Sequence, residues 1–380
     1  VGSEMCIRDR FKNSIGVKVP DILLPHEGVS MEKWAVVACD QFTSQPDYWE
    51  EAERIVGDAP STLRLMLPEM YLDKPGEAER IAAINATMDR YMADGTLESR
   101  GEGFMFVRRT VDGKTRSGLV VALDLEQYDY SRGSETLIRA SEGTIVERIP
   151  PRLRIRKDAA LELPHILVLI DDPQHTVIEP LADAATAENR LYDFELMLGG
   201  GHIEGYMVRD VGRIQGALRA LEALADPARF AEQYGADKKP MLFAMGDGNH
   251  SFATAKANWE ALKQTLSPAE QENHPARYAL VELENIHDEG ILFEPIHRVL
   301  FGVDHQKFMD AFRAAYPNAM RLDSLPQGEV AHPLDMTQAV RGKPFVELFQ
   351  DFFTKMNGRP LTVEETVAVK RLREEASKNE

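Results

Sequence analysis

The segment PMLFAMGDGNHSFATAKANWEALKQ, residues 240–264, contains the pattern that decides the fold. An apolar run ends at a Gly-Asp-Gly turn, and an amphipathic run begins directly after the turn. The apolar run predicts a buried strand over residues 240–245. Apolar residues spaced every 3.6 positions predict a helix over residues 251–265, with Trp259 facing the core. The segment therefore predicts a strand, a glycine turn and a helix in direct succession.

The Gly-Asp-Gly turn has two interpretations, an ordinary connection and a cradle for a phosphate group. Asp-Gly and Gly-Asn pairs are common in ordinary turns, and Asn249 or Ser251 is the expected N-cap of the helix. A cradle is equally consistent, because glycine permits close approach of the backbone and the amino end of a helix favours an anion. The candidate nucleotide-binding residues of the turn are Gly246, Gly248, Asn249 and Ser251.

Two side chains of the turn have chemistry that an ordinary connection does not need. Asp247 is the candidate metal ligand, for a magnesium ion, and a candidate catalytic base. His250 is a candidate catalytic residue, because its ring can donate a hydrogen bond to a phosphate. The turn is not a Walker loop, because no Gly-Lys-Ser/Thr sequence follows the glycines.

Apolar runs and amphipathic runs also alternate along the rest of the chain. The runs that predict strands cover residues 21–25, 34–39, 104–110, 118–125, 137–149, 165–170, 276–283 and 291–301. The runs that predict helices cover residues 46–54, 77–94, 184–198, 213–225, 308–316, 344–356 and 363–380. Asp112-Gly113 predicts a hairpin. The mixed order predicts an α+β or mixed α/β fold, with mixed sheets flanked by helices.

The length of 380 residues predicts two or three packed units. We predict an N-terminal α/β part over residues 11–130 and a central α/β part with the glycine turn over residues 131–302. Residues 303–380 are predicted to form a C-terminal helical part. Residues 1–10 show neither a helix nor a strand period and are expected to be a non-native or disordered leader.

The composition excludes several classes of protein. A net charge of -18 disfavours partners such as nucleic acid and anionic lipid. No apolar run approaches the ~20 residues that a membrane span needs. The two cysteines, Cys6 and Cys39, support neither a disulfide scaffold nor a cysteine zinc site. We therefore expect a cytoplasmic protein of a bacterium-like cell with a small-molecule substrate; the sequence leaves the oligomeric state open.

An arginine-rich segment, RGSETLIRASEGTIVERIPPRLRIR, covers residues 132–156 of this acidic chain. A local cluster of arginines suits recognition of phosphate or carboxylate groups. Arg139 and Arg148 flank Glu142, so we expect the two arginines near Asp247, as nucleotide-binding residues, and Glu142 as a candidate catalytic base. A salt-bridged edge strand is the alternative, and both interpretations stay open.

Other polar positions have more ordinary interpretations. The glycines of LGGGHIEG, residues 198–205, follow a predicted helix and are expected to end it, although His202 can still line a cleft. Asp171 and Asp172 follow a predicted strand, where a capping turn is favoured over a metal site. The histidines without metal-ligand spacing are expected to be structural: His165, His274, His287 and His297.

Long segments of the chain carry a family resemblance. They are WAVVACDQFTSQPDYW, PSTLRLMLPEMYL, IRASEGTIVERIPPR, LPHILVLIDDP, LYDFELMLGGGHIEGY, GDGNHSFATAK, HPARYALVELENIHDEG and FEPIHRVL, and they lie between residues 18 and 302. These segments resemble the bacterial family called domain of unknown function 1015, or DUF1015. The Tyr-Ile-His-Gly stretch that the family tends to carry near its end does not occur here.

The signature turn of that family, Asp-Gly-His-His-Arg, falls on residues 247–251. It is similar to the phosphate-binding turn of the ParB/sulfiredoxin superfamily, which includes nucleotide hydrolases and free-serine kinases. The resemblance implies a phosphotransferase that uses Mg and ATP or ADP and acts on a small polar metabolite such as a hydroxy amino acid. Here Asn249 replaces the first histidine and Ser251 the arginine, which removes a bidentate phosphate clamp.

Three alternatives stay open beside the phosphotransferase. The same cradle is compatible with a non-catalytic nucleotide or metabolite sensor. A metal-dependent hydrolase would use Asp247, His250 and other histidines. A ParB-like DNA-binding protein is opposed by the net charge of -18.

Overall fold

The computed structural model describes residues 11, 13–38, 42, 45–131, 133–140, 144, 146–163, 166–236, 238–291 and 304–315. The chain divides into two compact units, Val1–Ile291 and Leu292–Glu380. In the second unit a helix covers His305–Ala315, close to the predicted one. The predicted leader, the strand over 291–301 and the helices over 344–356 and 363–380 lie outside the described residues. Across the described ranges, no helix has both the length and the apolar character of a membrane span.

The first unit is organised around one large sheet. Its strands are β1 (Val17–Lys18), β2 (Asp21–Pro25), β3 (Leu97–Glu102), β4 (Phe104–Val111), β5 (Lys114–Asp124), β6 (Ile138–Arg139), β7 (Leu167–Ile170), β8 (Arg190–Leu196), β9 (Gly201–Val208), β10 (Phe243–Asp247) and β11 (Tyr278–Asn285). Nine of these described strands form a sheet in the order β6-β10-β7-β11-β5-β4-β9-β8, with β1 also paired to β5. Strands β2 and β3 form a separate antiparallel pair.

The large sheet is mixed. Strand β10 runs parallel to β6, and β11 runs parallel to β7. The other neighbours are antiparallel, including the predicted hairpin of β4 and β5 around Asp112-Gly113. The prediction of a mixed α/β fold is therefore confirmed. Strands from both sides of the predicted division at 130/131 share this sheet, so the two parts belong to one unit.

Helices flank the sheet within the first unit. They are α1 (Met31–Trp34), α2 (Pro46–Val56), α3 (Glu77–Ala93), α4 (Ile149–Arg156), α5 (Val211–Leu224), α6 (Pro227–Tyr234), α7 (Asn249–Leu262) and α8 (Pro268–Asn273). Three of the helices begin with a side-chain cap: Asp210 and Asp226 accept hydrogen bonds from the first turns of α5 and α6. Ser267 and Glu270 form a capping box at α8.

The alternation of side chains along β5 decides where the core lies. Leu119, Val121 and Leu123 point to one face of the sheet and are fully buried. Helices α5 and α7 cover this face with a set of apolar residues that includes Ile214, Leu218, Leu221, Phe252 and Trp259. Val120 points to the opposite face, where it packs with Ile22 of β2. Both faces of the central strands are therefore buried.

Two elements outside the arginine-rich segment differ from the predictions. The helix predicted over 184–198 is wrong, because residues Arg190–Leu196 form β8 and pair along β9. The glycines therefore form a hairpin turn, with positive φ angles at Gly199 and Gly201, and do not end a helix. The strand predicted over 34–39 is also wrong over its described part. Trp34 and Val36 instead fill two small apolar clusters, which requires no strand pairing.

Candidate functional site

The glycine turn lies where β10 leaves the sheet and α7 begins. The predicted strand and helix are confirmed, and Trp259 is fully buried. The N-cap is Gly248, with φ 80°, so the expectation of Asn249 or Ser251 as the cap is wrong. The left-handed conformation that joins the strand to the helix favours glycine, and the chain becomes helical one residue later. Asn249 is buried in the first turn of α7, and Ser251 is half-buried there.

Close packing against β7 explains both glycines of the turn. A Cβ atom on Gly246 would lie 3.0 Å from Leu169 Cγ, and one on Gly248 would lie 3.1 Å from Ile166 Cγ1. Tight packing therefore favours glycine at both positions, and the positive φ of Gly248 adds a backbone reason, whatever the turn binds. Packing does not explain the choice of aspartate at position 247, because Asp247 is exposed at the end of β10. Its Oδ1 accepts a hydrogen bond from the Gly248 amide at 2.7 Å.

The arginine-rich segment lies beside the elements of the turn. In the parallel pair of β6 and β10, Arg139 is next to Ala244, so the chain after β6 leaves the sheet at the edge that carries Asp247. Farther along, Thr144 lies beside the hydroxyl of Tyr128. The Tyr128 ring packs edge-on against Phe252 of α7, and helix α4 packs against α7. The structure thus brings the segment to the turn's helix, while Glu142 lies outside the described residues.

The two predicted nucleotide-binding arginines differ in their surroundings. The guanidinium of Arg139 donates to the carbonyl oxygens of Lys239 and Pro240, at 3.2 and 2.9 Å. Those carbonyls precede β10, at the end opposite the turn, and burial lowers the pKa of Arg139. Arg148 lies directly before α4, and its carbonyl accepts from Arg152. Hydrogen bonds thus direct the Arg139 side chain away from Asp247, and a nucleotide-binding role of either arginine stays a prediction.

The later arginines of the segment form ion pairs. Pro150 and Pro151 open helix α4, so the strand predicted over 137–149 is limited in the described residues to Ile138–Arg139. The ion pairs join Arg152 to Glu69, Arg154 to Asp73 and Glu77, and Arg156 to Glu162. Burial lowers the pKa of Arg156 to about 10. The salt-bridged interpretation is therefore supported for these three arginines, on a helix and not on an edge strand.

A second polar cluster lies where the parallel strands β7 and β11 end. Asp172 is fully buried, and its Oδ2 accepts from the amides of Thr176 and Val177 at 2.5 and 2.9 Å. This carboxylate forms a capping turn, which is the interpretation that the sequence analysis favoured over a metal site. Asn285 is also buried and donates to the Asp172 carbonyl and to Glu179 Oε1, at 2.9 and 2.8 Å. The amide of Asn285 therefore holds the ends of the two strands together.

His287 joins the edge of this cluster. Its Nε2 lies 2.7 Å from Asp171 Oδ1, and the hydroxyl of Tyr234 donates to the same carboxylate. A histidine that was expected to be only structural is thus exposed beside an acidic group. His175 makes a similar pair with Glu179, and that hydrogen bond raises the pKa of His175. The cluster thus combines two histidine–carboxylate pairs with the hydroxyls of Tyr234 and Thr176, which lie on Asp171 and Asp172.

A charged group is buried on the face of the sheet opposite α7. Arg116 Nε lies 2.6 Å from Glu284 Oε1, and Arg116 Nη2 lies 3.8 Å from Glu282 Oε1. Gly118 makes room for this group, since a Cβ atom there would lie 2.1 Å from Glu282 Oε1. Burial raises the pKa of Glu282, and it raises the pKa of Glu284 to about 7 although Arg116 opposes the change. One side chain of the group therefore titrates near neutral pH.

We expect the free energy of unfolding to fall between about pH 5 and about pH 8 because of Glu284. Its folded pKa of about 7 exceeds the ordinary value of 4.5, so the stabilising proton is fully present below 4.5 and is lost as the pH rises through 7. The fall is of the order of 3 kcal/mol. Glu284→Gln should flatten the profile in urea unfolding, whereas Glu232→Gln, at an exposed position of α6, should not. Equal profiles for the two variants would contradict the assignment.

Comparisons with known proteins place the chain in a family but provide no characterised relative. No curated protein and no solved structure matches it. The resemblance to the turn of the ParB/sulfiredoxin superfamily therefore stays a prediction. One family model, described as a protein of unknown function, matches residues 23–366, which is most of the chain. On that match, the chain belongs to the DUF1015 family.

Proposed function

We propose that this chain binds the phosphate groups of a magnesium nucleotide at the glycine turn and transfers a phosphoryl group to a small polar metabolite. The observation that carries the proposal is the position of Asp247, exposed at the end of β10 and directly before the left-handed N-cap Gly248. A carboxylate is a ligand that Mg²⁺ prefers, and the amino end of a helix favours phosphate. The two features together suit a magnesium–phosphate pair.

The proposal assigns a role to each residue of the turn. Asp247 binds the magnesium ion or orients the acceptor hydroxyl, and His250 donates to a phosphate. The backbone of Gly246, Gly248, Asn249 and Ser251 surrounds the phosphates, with Glu142 as the base and Arg148 as a source of positive charge. Phosphoryl transfer depends mainly on positioning and on neutralising charge, so these groups suffice for the reaction class. A hydroxy amino acid is the type of acceptor that the family resemblance favours.

The test compares two Asp-Gly turns of the same chain. Asp247→Asn keeps the hydrogen bond to the Gly248 amide but removes the charge, so it should leave the Tm nearly unchanged without ligand. It should abolish the stabilisation by Mg²⁺ and ATP, which at 100 times the Kd is about 2.7 kcal/mol in the parent. Asp112→Asn, in the exposed Asp-Gly turn between β4 and β5, should keep that stabilisation. His250→Ala should weaken binding by ~1.5–3 kcal/mol.

The same measurements separate the alternatives. If the parent shows no stabilisation with ATP or ADP and Mg²⁺, the turn is an ordinary connection and the proposal fails. Binding without turnover, measured as ADP release over a panel of hydroxy amino acids, would support a non-catalytic sensor. An unfolded Asp247→Asn variant would show that Asp247 is a structural residue. Release of inorganic phosphate without an acceptor would favour the hydrolase.

A further inference from the structure

A metal-ligating group of side chains lies on the hairpin of β8 and β9, outside the glycine turn. Asp193 of β8 is directly opposite Glu204 of β9, and His202 is two residues before Glu204 on the same side of the sheet. One potential ligand atom from each of the three residues lies within 4.8 Å of the others. Side-chain movements that bring these atoms closer together would let them contact one ion at the ~2.0–2.2 Å distances of zinc.

Strand pairing holds the backbone of His202 and Glu204 on both sides and that of Asp193 on one side. Strand β9 pairs with β8 on one side and with β4 on the other, through residues that include His202 and Glu204. The Cβ positions are therefore fixed by strand pairing and not by a loop. Rigid placement of this kind lowers the entropy that a metal site loses on binding.

A second contact orients each of the three side chains. Glu195 Oε1 lies 2.7 Å from His202 Nδ1, which leaves Nε2 facing Asp193 Oδ1 at 3.0 Å. Arg190 Nη1 lies 2.5 Å from Asp193 Oδ2 and forms an ion pair with it. Metal-binding histidines characteristically have a carboxylate on their other ring nitrogen, and metal-binding carboxylates are hydrogen-bonded in turn. The contacts around the hairpin follow that arrangement.

Glu204 completes the group. The hydroxyl of Tyr206 donates to Glu204 Oε1 at 2.9 Å, and Arg108 Nη1 lies 3.8 Å from Glu204 Oε2. Carboxylates directly opposite each other on neighbouring strands repel, so Asp193 and Glu204 favour a cation between them. Without a metal the imidazole of His202 lies between Asp193 and Glu195, so ion pairing and metal binding compete for the same ring.

We propose that Asp193, His202 and Glu204 bind one divalent transition metal ion, with Zn²⁺ as the best match. One imidazole nitrogen and two carboxylate oxygens suit zinc better than magnesium, which rarely takes nitrogen ligands. The three side chains are 32%, 34% and 23% exposed, so solvent or a small ligand can occupy the remaining coordination positions. Three protein ligands with an open position are the arrangement of reactive zinc sites, not of purely structural ones.

The test measures metal binding by the full chain. After dialysis against a chelator, titration calorimetry with ZnCl₂ should show one ion bound per chain, and Co²⁺ should give the visible absorption band of a protein-bound ion. His202→Gln and Glu204→Gln should each lose both signals. Glu195→Gln should weaken Zn²⁺ binding by about 10–100-fold, because it removes the partner of the ligating ring.

The control uses another His–Glu pair among the described residues, His175 and Glu179. His175→Gln removes a histidine that also has a carboxylate on Nδ1 but belongs to no such trio in the part of the chain that the structure describes, so this variant should bind Zn²⁺ like the parent. Thermal melting in the presence of chelator checks that each variant is folded. The proposal is overturned if the parent binds no Zn²⁺, or if folded His202→Gln and Glu204→Gln bind it with the affinity of the parent. Neither outcome bears on nucleotide binding at Asp247.

Discussion

Replacing Trp259 by alanine is expected to lower the free energy of unfolding by about 3–5 kcal/mol. Trp259 is fully buried in α7 and is among the largest completely buried side chains of the described residues. The ring fills the space between the sheet and the segment around His274, and its Nε1 donates to Glu126 Oε1 at 2.5 Å. Removal leaves a cavity and takes away a hydrogen bond, and both effects destabilise the helix that carries the glycine turn.

Urea unfolding followed by circular dichroism measures this effect without relying on tryptophan fluorescence. Trp259→Phe separates its two causes, because phenylalanine keeps most of the ring but cannot donate to Glu126. We expect the free energy of unfolding to fall clearly less in Trp259→Phe than in Trp259→Ala. A loss below about 1 kcal/mol for Trp259→Ala would be typical of a surface substitution and incompatible with this packing.

Replacing Arg277 by methionine is expected to have a comparable effect, about 3–5 kcal/mol. Arg277 binds both carboxylate oxygens of Asp124, at 2.9 and 2.5 Å. The Asp124 side chain is only 9% exposed, at the end of β5. Methionine keeps the apolar length of the side chain but leaves the carboxylate buried without its partner, and that uncompensated charge is the main cost.

Two further variants identify the cause. Asp124→Asn combined with Arg277→Met should recover part of the loss, because no charge then remains buried and Asn still accepts from the Glu126 amide. Arg54 and Glu51 form the same bidentate contact on the exposed surface of α2. Arg54→Met should therefore change the unfolding midpoint very little. Equal losses for Arg54→Met and Arg277→Met would show that burial of the ion pair is not what matters.

The sequence was sufficient to predict those elements whose local apolar pattern matches the face that the fold buries. The strand, turn and helix around residues 243–262 were predictable, because their apolar spacing matches the face that the sheet and helix bury. Residues 190–196 show the limit. Their mixed apolar and polar run fits a helix as well as a strand, and pairing with β9 decides between the two. The sequence of the run does not show that it pairs with β9.

The polar sites show the same limit. Asp247 and His250 were identified from the sequence because an ordinary turn needs only glycine and a cap, and these two side chains are additional to both. Asn285 and His287 were not assigned to a site, since they reach Asp171 and Asp172 only through the parallel register of β7 and β11. Asp193 was not recognised as a neighbour of His202, because a helix over that segment would have separated the two side chains.

Pairing of β5 with β11 has a consequence for the nascent chain. Strand β5 can pair with β1 and β4 soon after its synthesis, but its other edge must wait for β11. The roughly 150 residues between them take about 8–30 s to synthesise at ~5–20 residues per second. During that interval an apolar strand edge is exposed to other chains, which is a known route to aggregation. Synthesis of β11 completes the pairing of β5 and ends that exposure.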